Sequence, residues 1–403
     1  MEQIYFSLNN ILTVVWVALG VSLLSMLWLL TAVRNRLMLC VKAAASADAG
    51  WRNDADTDNL GDDRQPSSLP GVSVIVYATD NPESLTRLLD NLFNQDYVGK
   101  KEIIVVNDGS SSDVTDVVNR LGLDHPELYQ TFVPDEAHNL SRKKLGISLG
   151  VKAARYPYVV LTCDNCMPLS ASWLSCMARP FAGGKDVALG YASVKGLKKS
   201  SDIFDEVVSA VVWLTAALRR HPYRGIGYNI GYKKSLFFDV KGFSRSLTLH
   251  NGDDDLFVNQ ITDGGNTAVV LSPDSLVEVN AYNPRKLLRE SRLNHSFTAR
   301  FLPKGSGRFF GFATITLWLW LAATTVGIVF SLPNALPACL FLLTVPGLLI
   351  PMSLAWSKTA GALGIRLSSW GASWHMFWRW IRNLRYSLAC GSASRRNYTW
   401  LQH

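Results

Sequence analysis

The sequence predicts a doubly wound α/β domain held between helices that cross a membrane. Three apolar stretches carry no charged residue over the length of a bilayer crossing: Ile11 to Val33, Phe309 to Phe330 and Ala335 to Trp356. An apolar helix of roughly 20 residues spans a hydrocarbon core. The polar stretch between the first and second is long enough for one large domain or two small ones. It alternates β-branched runs with helical patterns, which is typical of α/β folds.

The first apolar stretch is longer than the roughly 7–15 residues of a cleaved signal sequence. Its basic flank, Arg34 and Arg36, follows the run instead of preceding it. We therefore expect a retained membrane helix.

Basic residues flank the apolar stretches in a pattern that predicts their orientation. Lys and Arg collect on the cytoplasmic side of a membrane, and the short loop 331–334 has neither. We expect an integral protein of the bacterial inner membrane, with the N-terminus outside and the catalytic domain and C-terminal tail in the cytoplasm. The flanking residues are Arg34, Arg36 and Lys42 after the first stretch, Lys304 and Arg308 before the second, and Lys358, Arg366, Arg379, Arg382, Arg385, Arg395 and Arg396 after the third.

The net charge of +8 indicates attraction to anionic lipid head groups. A nucleic-acid partner is not expected, because no basic patch interleaves with aromatic residues in the polar region. The six cysteines should be reduced in a cytoplasmic domain. Cys163 and Cys166 form one C-x-x-C pair, and without a second pair we expect neither zinc binding nor redox chemistry.

Composition divides the chain into five segments. Residues 1–43 are the first membrane helix with its basic flank, and 44–71, which has few large apolar residues, reads as a flexible linker. Residues 72–308 are the α/β domain and 309–356 two further membrane helices. In 357–403, a run of aromatic and apolar residues lies among basic residues, which predicts an interfacial helix followed by the cytoplasmic tail. The apolar residues are Trp370, Trp374, Phe377, Trp378, Trp380 and Ile381, and the nearby arginines are Arg379, Arg382 and Arg385.

Within the domain, β-branched runs predict buried parallel strands and apolar faces predict helices. Ligands of such sheets bind beyond the carboxyl ends of the strands, which directs attention to Thr79, Asp80, Asp108, Asp164 and Asn165. The predicted elements are strands at Val72 to Tyr77, Glu102 to Val106 and Tyr158 to Thr162, and helices starting at Asn81-Pro82-Glu83 and covering Asp113 to Leu121 and Lys143 to Ala154.

The second half of the domain is more mixed. The apolar helix Glu206 to Leu218 is too short to span and is expected against the membrane. A glycine-rich loop, Arg224 to Tyr232, precedes a helix at Leu256 to Ile261. Arg285 to His295 is a basic, partly amphipathic segment.

Four groups of charged residues allow a structural and a functional interpretation. Asp108 either caps a turn or accepts a hydrogen bond from a nucleotide base. Asp164 either caps a loop or holds a divalent cation on phosphate oxygens. Asp253, Asp254 and Asp255 either stabilise a helix N-terminus or raise one another's pKa, as in a general base.

The fourth group is a basic cluster beside the second apolar stretch. It either binds lipid phosphates or clamps a leaving diphosphate, for which arginine geometry is suited. Its members are Arg285, Lys286, Arg289, Arg292 and Arg300.

The motifs together, from Val72 to Phe301, resemble the family 2 glycosyltransferases, inverting enzymes of GT-A fold whose membrane members include cellulose, chitin and hyaluronan synthases. The resemblance rests on five stretches: VSVIVYATDNPESLTRLLDNLFNQDY, EIIVVNDGSSSD, RKKLGISLGVKAARYPYVVLTCDNCMP, RGIGYNIGYKKSLFFDVKGF and NGDDDLF.

The resemblance implies a role for each matching residue. Tyr77 to Asp80 would line the nucleotide pocket, Asp108 would contact the base and Lys143 would lie near the diphosphate. Asp164 would bind Mg²⁺ or Mn²⁺ in the D-x-D region, next to Asn165. Asp254 would be the general base, with Asp253 beside it. Arg289 and Arg292 would steady the diphosphate and the acceptor.

The chain departs from the family pattern in two places. The D-x-D region reads Cys163-Asp164-Asn165-Cys166, so either Asp164 is the first acid and Cys166 replaces the second, or Cys163 and Asn165 replace both. Leu293 stands where the last motif has tryptophan. A degenerate, non-catalytic scaffold or partner subunit is therefore the alternative to an enzyme.

The resemblance implies a hexosyltransferase that moves sugar from a nucleotide-diphospho-sugar to a membrane-associated acceptor, lipid-linked or glycan, with inversion. Three crossings are few for a polysaccharide channel within one chain. The sequence specifies no protein partner.

Overall fold

The computed structural model describes residues 2–56, 69–79, 81–109, 112–134, 141–247, 249–250, 252–302, 306–332 and 335–392. Its strands are β1 Val72–Ala78, β2 Lys101–Asn107, β3 Leu128–Phe132, β4 Tyr158–Cys163, β5 Cys166–Pro168, β6 Val187–Leu189, β7 Ala192–Val194, β8 Ile230–Lys233, β9 Thr267–Val269 and β10 Val277–Val279. Its α-helices are α1 Glu2–Trp28, α2 Arg34–Asp56, α3 Pro82–Phe93, α4 Asp113–Gly122, α5 Arg142–Ala153, α6 Trp173–Ala182, α7 Ser200–Leu218, α8 Lys234–Asp239, α9 Leu256–Ile261, α10 Pro284–Thr298, α11 Ser306–Ser331, α12 Ala335–Ala362 and α13 Ser369–Ser392. A π-helical turn, Leu29–Val33, joins α1 and α2.

A seven-stranded mixed sheet forms the centre of the domain, in the order β3-β2-β1-β4-β8-β6-β9. The first four strands are parallel. Strand β8 runs antiparallel to β4 and β6, while β6 and β9 are parallel. A second sheet, β5-β10-β7, lies beside it. The predicted α/β class with its parallel β1, β2 and β4 is confirmed.

The parallel strands form where the sequence supplies β-branched runs, and both faces of the sheet are covered. Every residue of β1 except Tyr77 is buried, as is every residue of β2 except its first. The side chain of Asn81 caps α3 by accepting a hydrogen bond from the Ser84 amide (3.1 Å), and Pro82 occupies the first turn. Three strand ends, β1, β2 and β4, therefore meet at one edge of a rigid sheet.

Helix α7 differs from expectation, because it lies inside the protein and not against the membrane. Phe204, Val207, Val211 and Leu214 are buried, and the helix packs against α2, α10, α13 and β9. A helix that is apolar around most of its circumference is usually buried on all sides. Helices α2 and α13 cover α7, and the sequence pattern did not predict that either packs against it.

Three helical stretches are long and apolar enough to cross a membrane: Ile11–Ser46, Gly307–Ser331 and Leu336–Ala362. No more than 33% of each apolar window is buried inside the protein, which leaves most of its surface for lipid. Hydrogen bonds join these helices. Ser22 and Thr324 share one of 2.8 Å, and Thr359 donates to the Leu37 carbonyl over 3.2 Å.

The predicted linker, 44–71, begins in a helix. Helix α2 continues to Asp56, since the alanine-rich start of this segment has high helix propensity. Residues 57–68 lie outside the described residues. Helix α13 covers the predicted interfacial segment and packs on α7, α10, α11 and α12, while Trp370 and Trp374 stay exposed.

We expect single cysteines at positions 67 and 397, introduced into a chain without the exposed Cys339, to react with thiol reagents only from the cytoplasmic side. The positive-inside distribution of Lys and Arg is the physical reason. Leu332→Cys, on the exposed side chain between the last two candidate spans, should react from outside. Labelling of position 67 or 397 from outside would contradict this topology.

Candidate active site

The end of β2 carries a carboxylate held by two neighbours. One oxygen of Asp108 accepts a hydrogen bond from the Tyr77 hydroxyl, and the other pairs with Arg142 Nε at 2.6 Å. Burial raises the pKa of Asp108 and Arg142 opposes the rise. The carboxylate is thus fixed at the strand edge, where a planar ligand could contact it.

Asp164 follows β4 directly and is bound to the end of β1. Its Oδ2 accepts from the Thr79 amide (2.7 Å) and the Thr79 hydroxyl (3.0 Å). Its own amide donates to the Tyr77 carbonyl (3.0 Å). Burial raises the pKa of Asp164, while the bonds from Thr79 oppose the rise. One oxygen of the Asp164 carboxylate therefore already accepts two hydrogen bonds from within the protein.

The surroundings of Asp164 offer few hard ligands for a cation. Asn165 is partly buried, and its amide oxygen lies 3.6 Å from Cys166 Sγ. Cys163 and Cys166 are both buried. Within the described ranges, no three His, Cys, Asp or Glu side chains are grouped to hold a metal ion.

The three acids before α9 have different environments. Glycine at position 252, with φ +107°, adopts a conformation that other residues rarely take, and it turns the chain into the acids. Asp255 caps the helix by accepting from the Leu256 amide (2.8 Å). It also accepts from the Thr298 hydroxyl of α10 and lies 3.6 Å from Arg224 Nη2. Asp255 therefore has a structural role.

Asp253 forms an ion pair with Lys143, the residue predicted near the diphosphate. Lys143 Nζ lies 2.5 Å from Asp253 Oδ2 and 5.3 Å from the centre of the Tyr228 ring. Burial opposes the charge of both partners. Their mutual attraction outweighs it, so the pKa of Asp253 is lowered and that of Lys143 is raised. Both groups are charged at neutral pH.

Asp254 is compensated less than its neighbours. Loss of solvation, followed by the negative charge of Asp253, raises its pKa to about 7, and Lys143 only partly opposes the rise. Its carbonyl accepts from the Gly225 amide (3.1 Å), which ties it to the glycine-rich loop. A carboxylate with a pKa near the working pH is suited to accept a proton from a hydroxyl group.

Asp254 faces a cavity of about 190 Å³ between the glycine-rich loop, α7 and α10. Lys143, Asp253 and Arg292 line it as well. Arg292 is held by the Asp205 carbonyl (3.2 Å), Ser209 (3.1 Å) and Asn383 (2.8 Å). Glu206 also lines the cavity, and burial raises its pKa to about 7.

The structure brings some predicted site residues together and separates others. Tyr77, Asp108, Asp164 and Asn165 lie at neighbouring strand ends, and Lys143 and Arg292 share a cavity with Asp253 and Asp254. Arg289 is exposed in a separate groove beside α13. Asp80 lies outside the described residues.

Sequence reasoning missed Arg142 and Lys144. Lys144 is buried and donates to the carbonyls of Ser246 (2.6 Å) and Leu249 (2.9 Å), which anchors the chain just before the acids. The sequence carried a signal for both residues. Arg142, Lys143 and Lys144 are three consecutive basic residues in the first turn of α5, where the helix dipole disfavours positive charge. Basic residues in that position indicate acceptors elsewhere in the fold.

Residues 73–237 match the model of Glycosyl transferase family 2. This match covers less than half of the chain, and over these residues it confirms the predicted resemblance to the family 2 glycosyltransferases. The acids 253–255 and the arginines of α10 follow the matched segment in the chain.

An N-acetylglucosaminyltransferase of Bradyrhizobium diazoefficiens is 34% identical over 93 residues, which are 23% of this chain and 18% of the relative. The match thus spans about a fifth of the relative's length. Among solved structures, a mannosyltransferase from Pyrobaculum calidifontis in complex with GDP-Man and Mn²⁺ aligns with TM-score 0.48 and 16% identity, over 87% of this chain and 99% of that one. TarS 1–349 of S. aureus aligns with TM-score 0.40 and 16% identity, over 77% and 91%.

We expect Asp254→Asn to stabilise the protein increasingly as pH rises from about 4 to 7. A carboxyl whose folded pKa is raised from 3.8 to about 7 contributes fully to the fold below pH 4, and this contribution is lost progressively until pH has passed 7. The variant, which cannot ionise, should unfold at the wild-type temperature near pH 4. At pH 8 it should gain on the order of 1–4 kcal/mol.

The measurement is thermal unfolding of the purified chain from pH 4 to 8, with Asp90→Asn on the exposed face of α3 as control. A difference between Asp254→Asn and wild type that is the same at every pH would contradict the raised pKa.

Proposed function

We propose that the chain transfers a hexose from a nucleotide-diphospho-sugar to a membrane-associated acceptor, with inversion and with Asp254 as general base. The observation that carries this proposal is the position of Asp254, which has a pKa of about 7 and faces a cavity beside a lysine. The family 2 domain over residues 73–237 supplies the class of reaction.

The donor is proposed to bind along the strand ends. Asp108, held by Tyr77 and Arg142, would accept from the nucleotide base. Lys143, whose pKa stays above its ordinary value, would lie against the diphosphate. Its attraction to the donor phosphates would compete with the bond to Asp253.

A divalent cation, Mg²⁺ or Mn²⁺, is proposed to bind at Asp164 with the donor. Hard cations favour carboxylate and amide oxygens, and Asp164 with Asn165 offers one of each. Such a cation would offset negative charge on the diphosphate oxygens. With a single carboxylate, partly engaged by Thr79, its affinity should be lower than that of a two-acid site.

The proposed step is a single displacement at the anomeric carbon. The acceptor oxygen attacks in line, its bond to that carbon forms, and its proton passes to Asp254. The bond from the same carbon to the diphosphate breaks, and the nucleoside diphosphate leaves with the electron pair. Lys143 and Arg292 offset the charge that develops on it. Inversion follows from the single displacement.

A second candidate function is a scaffold that has lost turnover. The bonds from Thr79 to Asp164 favour it, because the one acid of the D-x-D region then has a structural partner. In that case the domain would hold a partner enzyme and leave sugar untransferred. Binding of a nucleotide-sugar with and without Mn²⁺ separates the two candidates.

We expect Asp254→Asn to lower sugar transfer by about 10²–10⁴-fold, the usual cost of losing a general base, with donor affinity unchanged. Transfer to a membrane extract and donor binding are measured together, with Asp90→Asn as matched control. The wild-type rate should rise with pH through about 7, because only the ionised carboxylate accepts the proton. Wild-type transfer by Asp254→Asn would remove this residue from the mechanism.

We expect Asn165→Asp to strengthen Mn²⁺-dependent donor binding and Asp164→Ala to weaken it, because each change alters the number of carboxylates available to the cation. Calorimetric titration of donor at several Mn²⁺ concentrations measures both. Unchanged donor binding and turnover in Asp164→Ala would exclude a metal role.

A further inference from the structure

A second cavity, which we call the arginine cavity, adjoins the one that Asp254 faces. It has a volume of about 590 Å³ and lies between α7, α10, the start of α11 and α13. Ser209, Arg292 and His295 line both cavities. A ligand in the arginine cavity would therefore lie next to the proposed base.

The arginine cavity concentrates positive charge, and among its four arginines Arg224 has a carboxylate within ion-pair distance, Asp255. Four guanidinium groups line it, and among its described lining residues there is no carboxylate. Arg292 is bound by neutral acceptors, a carbonyl, a hydroxyl and an amide. The nearby Asp205 pairs instead with Arg382 (2.8 Å). The four groups are those of Arg224, Arg292, Arg308 and Arg379.

Two of these arginines retain unused donors. Nε of Arg224 and Nε of Arg379 are buried and have no hydrogen-bond partner. Arg224, with a side chain only 11% exposed, reaches Asp255 through Nη2 at 3.6 Å. Unpaired buried donors are costly unless a ligand accepts from them, and guanidinium groups match phosphate oxygens in geometry.

The arginines of the cavity lower the pKa of the basic groups beside them, as expected where positive charges lie close together. Burial and then the charge of Arg292 lower the pKa of Arg379 to about 10. Burial, followed by Arg224 and Arg292, lowers the pKa of His295 well below its ordinary range. Both shifts indicate a positive potential that a bound anion would relieve.

The position of the cavity indicates where the anion comes from. Gly307 and Arg308 belong to the start of the candidate membrane span Gly307–Ser331. The wall also includes Val208, Val212, Ala299 and Leu302. A basic cavity with apolar walls at the end of a membrane helix fits a phosphate whose chain stays in the bilayer.

We propose that the arginine cavity binds the phosphate group of a membrane lipid whose head group carries the accepting hydroxyl. This inference rests on the proposed transferase function and specifies its acceptor as an anionic phospholipid or isoprenyl phosphate derivative. The phosphate lies among Arg224, Arg308 and Arg379, and the hydroxyl reaches Asp254 in the adjoining cavity. Arg292, which lines both cavities, remains available with Lys143 to the donor diphosphate.

The test is binding of a short isoprenyl monophosphate to the full chain in nanodiscs of neutral lipid. The wild type should bind it, and both Arg379→Gln and Arg308→Gln should weaken binding about tenfold or more, the usual effect of losing a charge-assisted hydrogen bond. Arg308 is exposed, so Arg308→Gln should fold and still tests lipid phosphate binding if Arg379→Gln misfolds. Arg120→Gln, the same change on exposed α4 at the opposite edge of the sheet, should bind as wild type does.

Three parallel titrations identify the source of the anion. The isoprenol without phosphate should bind weakly, inorganic phosphate should bind far more weakly than the lipid phosphate, and UDP should bind equally to wild type and both variants. Equal affinity for inorganic phosphate would overturn the lipid assignment. Loss of UDP binding in the variants would assign the cavity to the donor, and no effect of either variant on lipid phosphate binding would overturn the proposal.

These readouts do not depend on turnover. Lipid phosphate binding that needs Arg308 and Arg379, in a chain that neither binds a nucleotide-sugar nor transfers one, would refute the proposed transferase and leave the phosphate site. Normal Asp254-dependent transfer without such binding would refute the phosphate site alone.

Discussion

The ion pair between Lys143 and Asp253 is the interaction on which the candidate site depends. It joins the first turn of α5 to the acids before α9, and it neutralises one of three adjacent carboxylates. Asp255 is satisfied separately by Thr298, Arg224 and the α9 amide. Burial, and then the negative charge of Asp253, raises the pKa of Asp254 to about 7, while Lys143 opposes the rise. Without its lysine, Asp253 would be an uncompensated buried charge, a costly arrangement.

The same helix turn organises the rest of the site. Arg142, Lys143 and Lys144 are consecutive, and they contact Asp108, Asp253 and the carbonyls of Ser246 and Leu249. One rigid helix N-terminus thereby sets the donor-side carboxylate, the acid cluster and the chain segment between them. Helices α10 and α13 close the opposite side, through Arg292, Asn383 and the pair of Asp205 with Arg382.

Local patterns were enough to predict β1, β2 and β4 and the polar residues at their ends, because buried parallel strands need uninterrupted β-branched runs. They were also enough to predict the helix after the three acids. They could not predict that Thr79 binds Asp164 or that Thr298 binds Asp255, since 85 and 43 residues separate these partners. The interior position of α7 likewise depends on packing against distant helices, which a local pattern does not show. The helical start of the predicted linker follows from the helix propensity of its alanines, which its polar composition concealed.

The central claim is that the carboxyl group of Asp254 titrates near neutral pH because its burial, and then the negative charge of Asp253, raises its pKa. Infrared difference spectroscopy of the purified chain, titrated from pH 4 to 9, measures this directly through the C=O band of protonated carboxyl groups. We expect a band that disappears with a midpoint near pH 7 in the wild type, to which both Asp254 and Glu206 contribute, and that keeps only the Glu206 contribution in Asp254→Asn. A band near pH 7 of equal amplitude in both proteins, or a wild-type spectrum in which no carboxyl band titrates above about pH 5, close to the ordinary range of Asp and Glu, would contradict this claim.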